Sequence, residues 1–348
     1  MPRPVQDADA LDDLDRAVIE ALQVSPRASW AAVGAALDVD PVTVARRWKR
    51  LSGDGSAWVT AYPIGPDLGG GAVALVDIGV DPARLDTTAR AIGQDPHVFT
   101  LERATGAHSL TAIVAAPDLA ELTGHCIDRI ERAPGVRAVE IHLVTRLFLE
   151  ASRWRIRGLS PAQLTRLKEA APPPPVRTAP HAARPDADVV AALAADGRTT
   201  GAELAALLDI GVHTARRRLD RVIADGHLVF RCDVAQPLTG WPVCATFRAT
   251  VAPGKVTATA QTLSTLPEIR MCLATTGPHN LHISVWLRST ADVHRLETLL
   301  AERLPELHIA DRVVVLRQYK ASGRTLDAAG RAVPADRSGG VGPPAAVG

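Results

Sequence analysis

A chain of 348 residues has room for two to four domains, and an apolar fraction of 47% supplies ample core. A net charge of +1 excludes a partner held by global charge alone, so local patterns carry the information. The four cysteines, Cys126, Cys232, Cys244 and Cys272, form no C-x-x-C pair, which points to reduced thiols and away from a disulfide framework or cysteine metal site.

The stretch from Met1 to Asp15 is acidic and lacks an apolar segment, so no signal peptide is expected. No apolar run is long enough to cross a bilayer, and the expected location is cytoplasmic and nucleoid-associated. Leu14, Val18, Ala21 and Leu22 then follow a helical stripe. Ser29 to Leu37 reads as a second short helix. Asp40 caps a third, with Pro41 at its first position and Val44, Trp48 and Leu51 on one buried face. It stops near Gly53-Asp54-Gly55, and Ala57-Trp58-Val59 can form a strand, a wing to the helices. Next come Ala72–Val80, Pro82–Ile92, His97–Ala104, His108–Ala115, Leu119–Ile130 and Val136–Phe148, in the order strand, helix, strand, strand, helix, strand. That βαββαβ order is the ferredoxin-like plan. Ser160 and Pro161 open a short helix to Ala170, and Pro172 to Pro175 break it.

The whole pattern is then written again. Ala104-Thr105-Gly106-Ala107-His108-Ser109-Leu110 recurs as Thr275-Thr276-Gly277-Pro278-His279-Asn280-Leu281, and Arg46-Arg47-Trp48 as Arg217-Arg218-Leu219, at a constant offset of 171 residues. Pro82/Pro253, Pro96/Pro267, Pro134/Pro305 and Arg146/Arg317 keep that offset. A period this long is a duplicated domain pair, not a solenoid. The second copy's strands and helices fall at Val243–Val251, Gly254–Leu266, Ile269–Thr275, Leu281–Leu287, Ala291–Leu304 and Ile309–Tyr319. The expected class is α+β: two winged helix-turn-helix domains (11–61 and 185–233) alternating with two ferredoxin-like domains (70–150 and 241–322). Residues 151–184 read as a linker with a short helix, and 323–348 as a disordered tail.

Charges on the third helix sort by angle. With Val44 at zero, Arg46 lies near about 200°, Lys49 near about 140° and Arg50 near about 240°, all pointing away from the core; Arg47 flanks the buried face. The second copy carries Arg217, Arg218 and Arg221 at matching angles, with His213 outward. A three-helix unit with an outward-basic third helix is the helix-turn-helix pattern, whose third helix enters the DNA major groove. The candidate DNA-binding residues are Thr43, Arg46, Arg47, Lys49, Arg50, His213, Arg217, Arg218 and Arg221; arginine can grip guanine or clamp phosphate.

These residues resemble the Lrp/AsnC transcription regulators. The Leu11-Asp12-Asp13-Leu14-Asp15-Arg16 opening looks like that family's first-helix signature. The run from Thr43 and Val44 through Arg46, Arg47 and Leu51 to Gly55 looks like its recognition helix, and the βαββαβ half like its ligand-sensing and dimerisation module, often called RAM. The resemblance implies DNA binding, association through the sheet modules and control by a small molecule, often an amino acid. Two units in one chain look like a covalently fused dimer. The second unit departs from the family in lacking the Leu-Asp opening.

The effector candidates are Thr105, Gly106, His108, Ser109, Thr276, Gly277, His279 and Asn280. Many amino-acid-responsive members have an acid in this loop; Ser109 and Asn280 cannot pair with a ligand ammonium by charge. His108 and His279 read equally as effector contacts or as turn histidines bonded to backbone. The implied partners are double-stranded DNA, a small-molecule effector and further copies of the chain, with no cofactor, no metal and no enzymatic activity. Two other readings stand beside this one. Siroheme decarboxylases share the two-part plan, but their dense His/Tyr/Arg set is missing around Val98–Arg103 and Ile269–Cys272. The other is an architectural DNA-coating protein.

Overall fold

The computed structural model describes residues 11–62, 71–150, 154–171, 186–226 and 228–333. In chain order the elements are α1 (Asp13–Val24), α2 (Trp30–Leu37), α3 (Pro41–Gly53), β1 (Ala57–Tyr62), β2 (Ala72–Val80), α4 (Leu85–Gly93), β3 (Val98–Ala104), β4 (Leu110–Ala116), α5 (Leu119–Gly124) and β5 (Val136–Leu149). Then α6 (Pro161–Ala170) leads to α7 (Ala187–Ala195), α8 (Gly201–Leu208), α9 (Val212–Ala224), β6 (Val229–Val234), β7 (Val243–Thr250), α10 (Val256–Leu263), β8 (Ile269–Thr275), β9 (Leu281–Leu287), α11 (Ala291–Arg303), β10 (His308–Ala321) and β11 (Arg324–Thr325). Local chemistry sets the helix starts. Asp12 and Asp15 form a capping box on α1, Ser29 caps α2, and Asp40 accepts from the amides of Val42 and Thr43 ahead of Pro41. Gly55 ends the first head's turn at φ +72°, a conformation that favours glycine.

Like gathers with like. One compact unit holds Met1–Gly65, Arg155–Leu238 and Arg331–Gly348, the two three-helix heads; the other holds Pro66–Trp154 and Thr239–Gly330, the two sheet modules.

In the head unit, β1 is not a free wing. It pairs antiparallel with its own duplicate β6, from Ala57↔Val234 to Tyr62↔Val229. A single strand leaves its amides and carbonyls without partners, and the equivalent strand supplies them. The pair is centred on Thr60↔Arg231, two positions one repeat apart. Each strand also crosses over: Ala61 packs in the second head's core beside Val189, Leu193 and Leu219. A second exchange is reciprocal. Arg27 donates to the carbonyls of Gly197 (2.5 Å) and Thr199 (3.1 Å), and Arg198 donates to those of Pro26 (2.6 Å) and Ala28 (2.8 Å). Burial, with the charge of Arg27 nearby, lowers Arg198 to about 10, so both guanidinium groups remain charged at neutral pH.

From Ile156 on, the described part of the expected linker packs against the first head. The amides of Ile156 and Leu159 donate to the buried side chains of Gln23 (2.9 Å) and Glu20 (2.6 Å). Gly158 lies so close to α1 that a Cβ would come within 2.5 Å of the Arg16 carbonyl carbon. Arg166 on α6 donates to the Ala36 carbonyl at 3.0 Å. Residues 172–185, the rest of that linker, lie outside the described residues.

In the sheet unit, each module is a βαββαβ sheet with its helices on one face. Val76, Ile78, Leu101, Leu110 and Val114 meet Leu122 and Ile130 in the first module; Phe247, Ile283 and Val285 meet Leu263, Leu296 and Leu300 in the second. The two sheets close into one ring, because β5 pairs with both β2 and β8 and β10 pairs with both β7 and β3. The long strands carry their ends into the opposite core: Tyr319 sits in the first and Leu149 in the second. Residues expected to begin a disordered tail are structured as far as Val333. Lys320 and Thr325 face each other across the β10–β11 hairpin, and within the head unit the Ala332 amide donates to the Gly55 carbonyl at 2.9 Å. Residues 334–348 lie outside the described residues.

The arginine exchange generates a prediction. Arg198→Ala removes two charged hydrogen bonds from the head pair, each worth about 1.5–3 kcal/mol. Denaturant titration should show a loss on the order of 3–6 kcal/mol.

Candidate functional site

The third helices divide their charges between two tasks. Arg47 binds Asp12 and, at 3.3 Å, Asp15; Arg50 reaches Asp15 at 2.5 Å. The hydrogen bond that Arg47 donates to Asp12 raises the Arg47 pKa. In the second head Arg218 binds Asp186 (2.6 Å) and Asp188 (2.9 Å), which raise its pKa likewise. These arginines tie the third helix of each head to the first. Arg46 and Lys49 on α3, and Arg217 and Arg221 on α9, are exposed and form no ion pair among the described residues. His213 is exposed and Thr43 half-buried. Arg216, which the sequence reading did not single out, is exposed too. At the helix starts Val42 is 74% and Val212 51% exposed, apolar side chains in front of the basic face. Trp48 is buried beside Trp30, with ring centroids 6.5 Å apart.

In the sheet unit the two candidate effector loops stitch the modules together symmetrically. The Thr105 amide donates to the Val314 carbonyl (2.9 Å), and Thr105 Oγ1 accepts from the Val314 amide (2.9 Å). One repeat on, the Thr276 amide donates to Leu143 (2.9 Å), and Thr276 Oγ1 accepts from the Leu143 amide (2.9 Å). Gly106 and Gly277 sit at φ +101° and +99°. A Cβ on Gly277 would come within 2.6 Å of His142 Nδ1. Asn280 clips the Val251 backbone through both its amide nitrogen (2.7 Å) and oxygen (3.0 Å), and Ser109 Oγ stands 3.5 Å from the equivalent Val80 carbonyl. His108 lies 3.5 Å from Glu140.

Between the two sheets, Asp77 and Arg248 meet at 2.7 Å. They are the same position in the two copies, 171 residues apart. Thr111 donates to Asp77 at 2.9 Å, and His142 Nε2 lies 3.6 Å from it. Burial opposes charge on Asp77, but His142, Arg248 and Thr111 outweigh it and hold the pKa at about 2. Burial, with Arg248 behind it, pushes His282 down to about 3, so that imidazole is neutral. The Asp77 hydrogen bond raises His142. Asp77, His142, Arg248, Thr275, His279 and His282 line a small cavity that opens to solvent. Two atoms of its lining residues, Arg248 Nε and His279 Nδ1, are buried without a hydrogen-bond partner. Of the eight candidate effector residues, only His279 lines this cavity. Among the described residues two groups have metal-ligand geometry: Asp77/His108/Glu140, whose aspartate is already bound to Arg248, and Asp95/His97/His125.

Residues 11–52 match the model of the AsnC-type helix-turn-helix domain, and residues 73–154 and 244–325 each match the Lrp/AsnC ligand binding domain. An uncharacterized HTH-type transcriptional regulator of Pyrococcus abyssi is 30% identical over 140 residues, 39% of this chain and 86% of that protein. The chain belongs to the Lrp/AsnC family. It is a transcription regulator of Lrp/AsnC type, with a helix-turn-helix domain and a ligand-binding domain present twice. The HTH-type transcriptional regulator Ptr1 of Methanocaldococcus jannaschii is 25% identical over 147 residues, 42% of this chain and 99% of that one. Each relative is thus the length of one repeat, and this Lrp/AsnC protein carries two. Across both repeats the fold is similar to that of the siroheme decarboxylase NirDL, at TM-score 0.56 and 12% identity, covering 89% of this chain and 93% of that one.

The Asp77–Arg248 pair escaped the sequence reading because it joins residues on different strands of different modules. The signal was present: at one repeat position the two copies carry opposite charges. Removing one partner of a buried ion pair strands the other. Asp77→Asn should therefore destabilise the sheet unit by about 3–5 kcal/mol. The reversed pair, Asp77→Arg with Arg248→Asp, should recover part of that loss in the same denaturation assay.

Proposed function

We propose that the chain is a sequence-specific, ligand-controlled DNA-binding regulator whose two heads act as a built-in pair, working in the cytoplasm on the nucleoid. The carrying observation is that Arg46, Lys49, Arg217 and Arg221 stay exposed and form no ion pair among the described residues, while their neighbours Arg47, Arg50 and Arg218 are held by carboxylates at the starts of the first helices. The unpaired cations supply phosphate and base contacts, and Val42 and Val212 stand where an apolar side chain can meet a thymine methyl. The second head is a full reading head on this view, although only residues 11–52 match the helix-turn-helix model. Its support is the repeated three-helix order and the repeated basic face. In the four-domain division of the sequence, Thr43 and His213 complete the two reading surfaces, and Arg47, Arg50 and Arg218 serve by fixing their helices. Lys49 is matched by Asp220 and Val42 by His213, so the heads read different half-sites and the operator is an imperfect palindrome.

The regulator is not a decarboxylase on this reading. The likeness to NirDL extends to the fold, and the cavity beside the Asp77–Arg248 pair is too small for a tetrapyrrole. The effector is a small polar molecule. Arg248 Nε and His279 Nδ1 offer it hydrogen bonds in the cavity, while Thr105, Thr276 and Asn280 hold the surrounding backbone. Gly106, Gly277, His108 and Ser109 shape the same loops.

The DNA test replaces Arg46, Lys49, Arg217 and Arg221 together by alanine and titrates the gene's own upstream DNA at several salt concentrations. Each lost phosphate contact flattens the salt slope by about 0.9. Affinity should fall at least tenfold on the order of base-contact energies, and unchanged affinity and slope would overturn the reading-face assignment.

For the effector, a panel of amino acids and small organic acids is added to the same titration. An active compound should shift DNA affinity by about 5–150-fold. His279→Ala should abolish the shift; an undiminished shift places the ligand elsewhere.

A further inference from the structure

Away from the sheet interface, the first module contains a cluster with no role in the reading above. Asp95 and His97 lie just before β3, and His125 begins the stretch where α5 widens into a π-helical turn, His125–Ile130. Such widened turns are frequent at functional sites. One ligand atom from each of the three residues lies within 4.8 Å of the others. The two oxygens of Asp95 stand 3.3 Å from His97 Nδ1 and 3.0 Å from His125 Nδ1. The imidazoles are stacked at 3.6 Å, which brings the two nitrogens toward one carboxylate.

We propose that Asp95, His97 and His125 bind a divalent transition-metal ion of the zinc class. Imidazole with one carboxylate suits zinc, copper or nickel, and not magnesium or calcium. A second observation supports the assignment. His97 Nε2 lies 3.0 Å from Glu121 Oε1, so the far nitrogen donates to a carboxylate. That is the arrangement by which a metal-bound histidine is oriented. All three side chains are largely buried yet reach the surface. Arg129 stands 4.0 Å from Asp95, at the limit of an ion pair, with its side chain 65% exposed. Lys320 bonds the Asp95 backbone carbonyl at 2.7 Å, away from the carboxylate, whose Oδ1 also accepts the His97 amide at 2.9 Å.

The duplication supplies an internal control. The positions one repeat after Asp95 and His125 are Leu266 and Leu296, both buried in the second module's core. The same fold therefore closes with two leucines there. The polar cluster is a property of the first copy and not a demand of the architecture.

The test uses the full chain after dialysis against a chelator, titrated with Co2+ alone and then with Zn2+. One equivalent of Co2+ per chain should produce the visible bands of a tetrahedral nitrogen–oxygen site, and Zn2+ should displace them. Asp95→Leu with His125→Leu, which installs the second copy's own residues, should remove the bands while circular dichroism shows the fold retained. His97→Gln, a milder change, should weaken binding at least tenfold. Absence of saturable binding in the parent chain, or undiminished binding in either variant, would overturn the site. The outcome is independent of DNA affinity, so it leaves the regulatory reading untouched.

Discussion

The structure depends on one constraint: strands and strand ends of each copy find their partners in the other. β1 has no partner in its own head and takes β6. β5 and β10 outrun their own sheets, and their far halves pair with β8 and β3. Backbone amides and carbonyls buried without partners are costly, so the duplication is part of how the chain folds and not a tandem of independent units. Arg27 and Arg198 add side-chain hydrogen bonds to the same reciprocal scheme.

Fusing the copies removes a restriction that binds a symmetric dimer. On a true two-fold axis a residue meets itself, so an aspartate would meet an aspartate. Here Asp77 meets Arg248 at the corresponding position, and like-charge repulsion becomes a buried ion pair. The same freedom shows on the surface, where Lys49 is matched by Asp220, and in the module cores, where Asp95 and His125 are matched by Leu266 and Leu296. The two halves keep one fold while their chemistry has separated.

The heads show why charge counts overstate a reading surface. Angle puts Arg46 and Arg50 alike on the outward side and Arg47 beside the buried face. What separates their roles is the acidic opening of α1, since Asp12 and Asp15 capture Arg47 and Asp15 also takes Arg50, while Arg46 faces solvent. Each head thus uses arginine both to fix its third helix and to furnish the exposed face. A similar division runs through the loops after β3 and β8, where Thr105 and Thr276 bind backbone of the opposite module and His279 turns to the cavity.

The sequence by itself determined the local elements and their repetition, because caps, periodicity and glycine turns act over a few residues. Asp40 with Pro41, the stripe of Val44, Trp48 and Leu51, and strands such as Ile269–Thr275 lie where those signals put them. The same constant offset revealed the duplication. What only the tertiary structure decided is who pairs with whom. The wing strand's partner, the docking of residues 156–170 on the first head and the meeting of Asp77 with Arg248 join segments far apart in the chain. So does the approach of Asp95 and His97 to His125. No local rule encodes such contacts: they follow from which strand edges and buried polar groups remain unsatisfied once the local elements have formed, and that is settled only when the whole chain packs.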